Sequence, residues 1–155
     1  PAILDDVGLS AAIEWQAGEF SSRTGIVCNI DTEPAHIKLS EELSVAIFRI
    51  FQETLTNIFR HAQANQVEVD LRLTPREFSM RVSDDGVGME IAEPNKLSSF
   101  GLLGVKERVR GFGGEMNVCT GDLGGACLDI VIPNPELPAS SEKLYAATGH
   151  GAQTL

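Results

Sequence analysis

The sequence predicts an α/β fold, a two-layer sandwich in which helices cover one face of a mixed, mainly antiparallel sheet. Two adjacent segments alternate strictly: Val67, Val69, Leu71 and Leu73 against Glu68, Asp70 and Arg72, then Phe78, Met80 and Val82 against Ser79, Arg81 and Ser83. Strands with one dry and one wet face belong to a sheet covered on a single side. Helix-period segments before and after them supply the cover, and 155 residues are enough for one domain with a working core.

The first helix is predicted over Leu9 to Phe20, where Leu9, Ala12, Ile13, Gln16 and Phe20 fall near helical spacing and Ser10 is a candidate N-cap. Ile26, Cys28 and Ile30 alternate in a short strand over 25–30, ended by the break Asp31-Thr-Glu-Pro34. Ser40, followed by Glu42 and Leu43, opens a long helix running to Ala62. The two alternating strands come next, joined through Thr74-Pro75-Arg76-Glu77. Residues 84–100 keep no period and hold Gly86, Gly88, Pro94, Asn95 and Ser98-Ser99, which marks a long loop of a kind that is often functional. A helix over Leu102 to Phe112 ends at Gly113-Gly114, and two last strands, around Met116 and Val118 and then Leu128, Ile130 and Ile132, flank a glycine-rich turn. Residues 134–155, with Pro135, Pro138, Ser140-Ser141 and Gly149-His150-Gly151, read as a flexible C-terminal tail.

Composition narrows the function. Twelve Lys and Arg against 22 Asp and Glu give a net charge of -10, which repels a nucleic-acid backbone. An anionic ligand therefore requires a divalent cation and a few local positive groups. Cys28, Cys119 and Cys127, an odd number without CxxC or metal-finger spacing, argue against a disulfide framework or a zinc site and read as small core residues in a reducing compartment. No apolar run approaches the ~20 residues of a membrane span and no signal-peptide pattern opens the chain, so a cytoplasmic segment without membrane contact is expected.

On the long helix, Glu53, Asn57 and Arg60 fall within roughly 60° of one another. The arc formed by Leu43, Ile47, Ile50, Phe51, Leu55, Ile58 and Phe59 anchors the opposite side. An amide oxygen at Asn57 suits Mg²⁺, a hard cation that keeps several waters and takes few protein ligands. Glu53 is placed to orient a metal-bound water or act as a base, and Arg60 to meet a phosphate. An ordinary solvated face with i,i+4 pairing has the same pattern. His61 falls on the apolar side and reads as a packed or capping histidine; His36 and His150 read as loop residues.

Asp84-Asp85-Gly86-Val87-Gly88 follows directly on a strand, where the chain must turn and a ligand can approach. The Asp84 carboxylate can accept from the exocyclic amine of adenine but not from the oxygen of guanine. A plain Asp-Gly turn is the alternative. Gly101-Leu102-Leu103-Gly104 opens a helix whose free amides favour phosphate.

This set resembles the GHKL ATPase superfamily, the Bergerat nucleotide-binding fold shared by sensor histidine kinases, type II topoisomerases, heat-shock chaperones and mismatch-repair ATPases. Glu53 to Asn57 resembles its N box, Asp84 to Gly88 its DxGxG box and Gly101 to Gly104 its second glycine box. Asn57 with Arg60-His61-Ala62, Ser83 to Met89, Gly101 to Arg108 and the opening Leu4 to Leu9 with Glu14-Trp15 are most similar to bacterial histidine kinases paired with NarL/LuxR-type response regulators. The resemblance covers residues 4–133, making 1–133 the ATP-binding domain and 134–155 the tail.

The resemblance implies that Asn57 coordinates Mg²⁺, Asp84 binds the adenine amine, Gly86 and Gly88 let the base approach, and Gly101, Leu102 and Gly104 close the phosphate end. It makes residues 90–100 an ATP lid and Lys96 a nucleotide contact, with Arg60, Lys96, Lys106 and Arg108 as candidate phosphate cations. The γ-phosphoryl group of ATP would go to a histidine on upstream dimerisation helices, and from there to the response regulator. One departure is the last glycine box, Leu123-Gly124-Gly125-Ala126, which lacks the family's threonine. A nucleotide-sensing module without phosphotransfer and an anti-sigma-type serine kinase of the same superfamily are the alternatives.

Overall fold

The computed structural model describes residues 2–88 and 101–134. The elements run α1 (Ala2–Thr24), β1 (Val27–Glu33), α2 (Glu41–Asn57), a π-helical turn (Ile58–Ala62), β2 (Gln66–Leu73), β3 (Glu77–Asp84), α3 (Leu102–Gly111), β4 (Glu115–Thr120) and β5 (Ala126–Pro133). The five strands form one sheet in the order β1-β2-β3-β5-β4. β1 lies parallel to β2, across the crossover made by α2, and the other pairs are antiparallel. This is the expected mixed, mainly antiparallel sheet. The expected lid (90–100) and tail (134–155) fall outside the described residues, except for Asn134.

The core lies between the helices and one sheet face. Ile13 and Phe20 of α1, Ile47, Phe51 and Leu55 of α2, and Val105 and Val109 of α3 pack with Val67, Val69 and Leu71, Phe78, Met80 and Val82, and Leu128, Ile130 and Ile132 of the strands. Phe51 is fully buried, and truncating such a residue to alanine costs about 3–5 kcal/mol. The opposite face is polar: Arg81 forks onto Asp129, with Nε–Oδ1 at 3.1 Å and Nη2–Oδ2 at 2.6 Å.

Ser40 caps α2, its hydroxyl accepting from the Leu43 N–H at 3.3 Å. α3 stops as Gly113-Gly114 predicts. The Gly113 N–H donates to the Arg110 carbonyl and the Gly114 N–H to the Val109 carbonyl, both at 2.9 Å, with Gly113 at φ 77°.

Three local expectations change. Helix α1 begins earlier, at Ala2, and is broken at Gly8 (φ 79°, ψ 176°). Ser10 is therefore no N-cap; its buried hydroxyl accepts from the Ile37 N–H at 3.0 Å and ties α1 to the 34–39 segment. Strand β1 continues past Ile30 to Glu33, because Asp31, Thr32 and Glu33 pair in register with Asp70, Leu71 and Arg72, and Arg72 Nη2 reaches Asp31 Oδ2 at 2.6 Å. The long helix reaches Ala62, but its last turn widens from α to π.

Candidate functional site

Alternation along β3 places Phe78, Met80, Val82 and then Asp84 on the core-facing side, so a carboxylate ends a row of buried apolar side chains. Asp84 is only 3% exposed. Its Oδ1 accepts from the Gly86 N–H at 2.8 Å and from the Ala126 N–H, at the start of β5, at 3.3 Å. Among the described residues both hydrogen bonds fall on that one oxygen. Burial pushes the carboxyl above its ordinary value, and the Gly86 and Ala126 amides act against that rise.

The neighbouring Asp85 is structural. Its Oδ1 accepts from Asn65 and Gln66 N–H at 2.8 and 2.9 Å, closing the link into β2. Amides from Gln66 and Asn65 hold its carboxyl below the ordinary value.

Two glycines allow this close packing. A Cβ on Gly86 would collide with the Ala62 carbonyl, 2.7 Å from its carbon, at the point where the Val87 N–H donates to Ala62 O at 2.8 Å. Gly86 is thus small because the end of the π turn presses on it. A Cβ on Gly125 would meet the Asp84 carboxylate and come 2.7 Å from the Gly86 nitrogen. In a glycine box that lacks the threonine, the backbone amide of Ala126 supplies the bond to Asp84.

The π turn shapes the adjacent wall. Ile58 and Ala62 stay buried, but Phe59, expected on the apolar arc, is 60% exposed, and Gln63 ends the turn at φ 52°. His61, expected to be packed or capping, instead borders a cleft with Asn57. That cleft has about 590 Å³ of space including its open mouth. Ile58, Val82, Leu102, Val118 and Leu128 give it apolar walls, and Asp84 sits among them.

Asn57, Asp84, Gly88 and Leu102 thus meet in one lining. Glu53 lies beside it, joining α2 to the start of α3: a Cβ on Gly101 would come within 2.5 Å of Glu53 Oε1, while Glu53 Oε2 is 3.7 Å from Arg108 Nη1. Gly101 has φ 68° and Gly88 φ 79°. Arg60 is exposed in the π turn, and among the described residues nothing lies within 4 Å of a Cβ on Gly104 in α3; both are outside the lining. Lys96 lies outside the described residues. Sequence reading missed His61, the Ala126 amide and the apolar walls. Of these, only the walls left a signal, in the alternation of β3 and β5.

Among the described residues no three His, Cys, Asp or Glu side chains group to hold a metal. One amide side chain, Asn57, a helical turn from Glu53, fits instead a hydrated Mg²⁺ that takes its remaining ligands from phosphate. No helix among the described residues is long and apolar enough to cross a membrane.

The chain belongs to the histidine kinase-, DNA gyrase B- and HSP90-like ATPase family, whose model matches residues 42–136. It is 32% identical over 133 residues to the oxygen sensor histidine kinase NreB of Staphylococcus carnosus, covering 86% of this chain and 38% of that protein. It is 33% identical over 130 residues to the signal transduction histidine-protein kinase/phosphatase DegS of Brevibacillus brevis, covering 84% and 33%. The chain therefore spans about a third of the length of these relatives. Among solved structures it resembles the blue-light activated histidine kinase of Erythrobacter litoralis (TM-score 0.65, 25% identity, 81% of this chain and 42% of that one). It shares its fold with the ATP binding domain of PrrB from Mycobacterium tuberculosis (TM-score 0.61, 17% identity, 82% and 94%).

Proposed function

We propose that residues 1–133 form the catalytic domain of a sensor histidine kinase, binding Mg-ATP and donating its γ-phosphoryl group to a histidine on upstream dimerisation helices. Residues 134–155 would be a tail. The observation that carries this reading is Asp84, a buried carboxylate in an apolar cleft whose Oδ1 is already held by two amides. Oδ2 is then the acceptor for the N6 amine of adenine, and the O6 of guanine would meet it as a second acceptor. The walls formed by Ile58, Val118 and Leu128 suit a planar apolar base.

At the phosphate end, Asn57 and Glu53 would hold Mg²⁺ and its waters; bound there, the ion neutralises phosphate charge during transfer. Glu53 orients a water or takes the proton of the accepting group, with Arg108 positioning its carboxylate. Arg60, Lys96 and Lys106 are the further cations available to phosphate, and the amides from Gly101 to Gly104 complete that end. Gly86 and Gly88 shape the turn beneath the base. The motif contexts Arg60-His61-Ala62 and Lys106-Glu107-Arg108, with relatives named as histidine kinases, support a cytoplasmic two-component kinase paired with a NarL/LuxR-type regulator.

Incubating the chain with labelled ATP, Mg²⁺ and the dimerisation helices of its parent kinase should yield acid-labile phosphohistidine. ATP binding with no phosphohistidine would replace this reading with a nucleotide-sensing module, and phosphoserine on a partner would replace it with a serine kinase.

A further inference from the structure

We propose that Cys119 and Cys127 are an oxidisable pair that closes a reversible disulfide across the β4–β5 hairpin by exchange with a small disulfide. The two residues are direct partners in the antiparallel register. Their side chains therefore share one sheet face, with Cα atoms about 4.5–5.5 Å apart. Disulfides need about 4.4–6.8 Å. The Gly121 N–H donates to the Gly125 carbonyl at 2.9 Å, two positions further along both strands, which makes 119 and 127 a hydrogen-bonded pair with Cα atoms near ~5.5 Å, inside that window.

Ser83 of β3 is the register partner of Cys127 on its other side, so Cys119, Cys127 and Ser83 lie in one row on the polar face of the sheet. The third cysteine, Cys28, sits on β1 at the opposite edge of the sheet and cannot reach them. Accessibility orders the steps. Cys127 is 2% exposed and Cys119 half-buried, so Cys119 meets the reagent first. Burial pushes the Cys127 thiol up to about 11, consistent with a partner that stays protonated until the second step.

In the first step the Cys119 thiolate attacks the small disulfide, forming a mixed disulfide and expelling one thiolate. Cys127 then loses its proton and attacks the Cys119 sulfur, expelling the second thiolate. Two protein thiols and one small disulfide thus become one protein disulfide and two small thiols. The link would lie one residue from Ala126, whose N–H holds Asp84. The chemistry is independent of what the cleft binds.

The test treats the folded 155-residue chain with oxidised glutathione, quenches by acid and alkylation, and measures intact mass without reductant. The expected product is a monomer lacking two hydrogen masses, reversed by dithiothreitol. Cleavage before Asp122 should leave two peptides, carrying Cys119 and Cys127, joined only by the disulfide. Cys127→Ser should trap glutathione on Cys119, and Cys28→Ser should change nothing. A wild-type chain that stays unreactive, keeps a glutathione adduct without closing, or forms only intermolecular links would overturn the pairing.

Discussion

Asp84 and Asp85 are adjacent in the chain, yet their environments push them in opposite directions. Asp84, buried, has a folded-state pKa raised above its unfolded value. Whatever stability its neutral form provides is fully present below the unfolded value of about 4 and is lost as pH rises through the folded one. Asp84→Asn keeps an oxygen for the two amides and removes the buried charge. The variant should be at least as thermally stable as the native chain at pH 7, with the difference shrinking toward pH 3. A clear loss of stability at pH 7 would mean that the charge is compensated in the native cleft. Asp85 has the reverse sign: its depressed pKa adds stability present above the unfolded value and lost as pH falls through the folded one. Asp85→Asn should lower the melting temperature near neutrality and match the native chain in acid. The roles divide because Asp84 continues the buried row of β3, which could be read directly from Phe78, Met80 and Val82. Asp85 meets Asn65 and Gln66 across a fold that local sequence does not disclose.

Elements show where local reading stops. Ser40, the two alternating strands and the Gly113-Gly114 stop depend on neighbours within a few residues, and they were legible. The π turn was not: Ile58 to Ala62 carries no composition that distinguishes π from α, and the added width moves Phe59 outward and His61 to the cleft. The role of Ser10 and the far end of β1 escape local reading for a related reason, since their partners Ile37 and Arg72 are 27 and 41 residues away. The glycines of α3 carry an element-scale prediction. Gly101 faces Glu53, and among the described residues nothing stands in the way of a side chain at Gly104. Without nucleotide, Gly104→Ala should stabilise the chain by roughly 0.5–1 kcal/mol through helix propensity, read by denaturant unfolding. Gly101→Ala should destabilise it, because its positive φ and the Glu53 carboxylate both oppose a side chain. If Gly104 borders phosphate, Gly104→Ala must also weaken ATP binding; a stabilised variant with native affinity would remove Gly104 from the site. Gly86→Ala should cost about 1–3 kcal/mol by forcing Ala62 away, whatever the ligand.

At the scale of the whole molecule, the layered architecture followed from the two alternations together, because a sheet with one wet face leaves only one place for the helices. Of the site residues singled out in the sequence, the fold brings Asn57 and Asp84 into one lining with Gly88 and Leu102, while Glu53, Arg60, Gly86, Gly101 and Gly104 lie outside it. Its supports were hidden because they are backbone groups, the Ala62 carbonyl and the Ala126 amide, which have no letter of their own. The net charge of -10 sets a condition on any triphosphate: chelating Mg²⁺ should weaken ATP binding sharply, since among the described residues no Lys or Arg lines the cleft. The most direct measurement is calorimetric titration of the chain with ATP and with GTP, each with Mg²⁺, for the native protein and for Asp84→Asn. Native protein should prefer ATP by at least tenfold, equivalent to about 1.4 kcal/mol, and the variant should lose most of that preference through weaker ATP binding. Equal native affinities for ATP and GTP, or a preference that survives in Asp84→Asn, would contradict the assignment of Asp84 as the reader of the base.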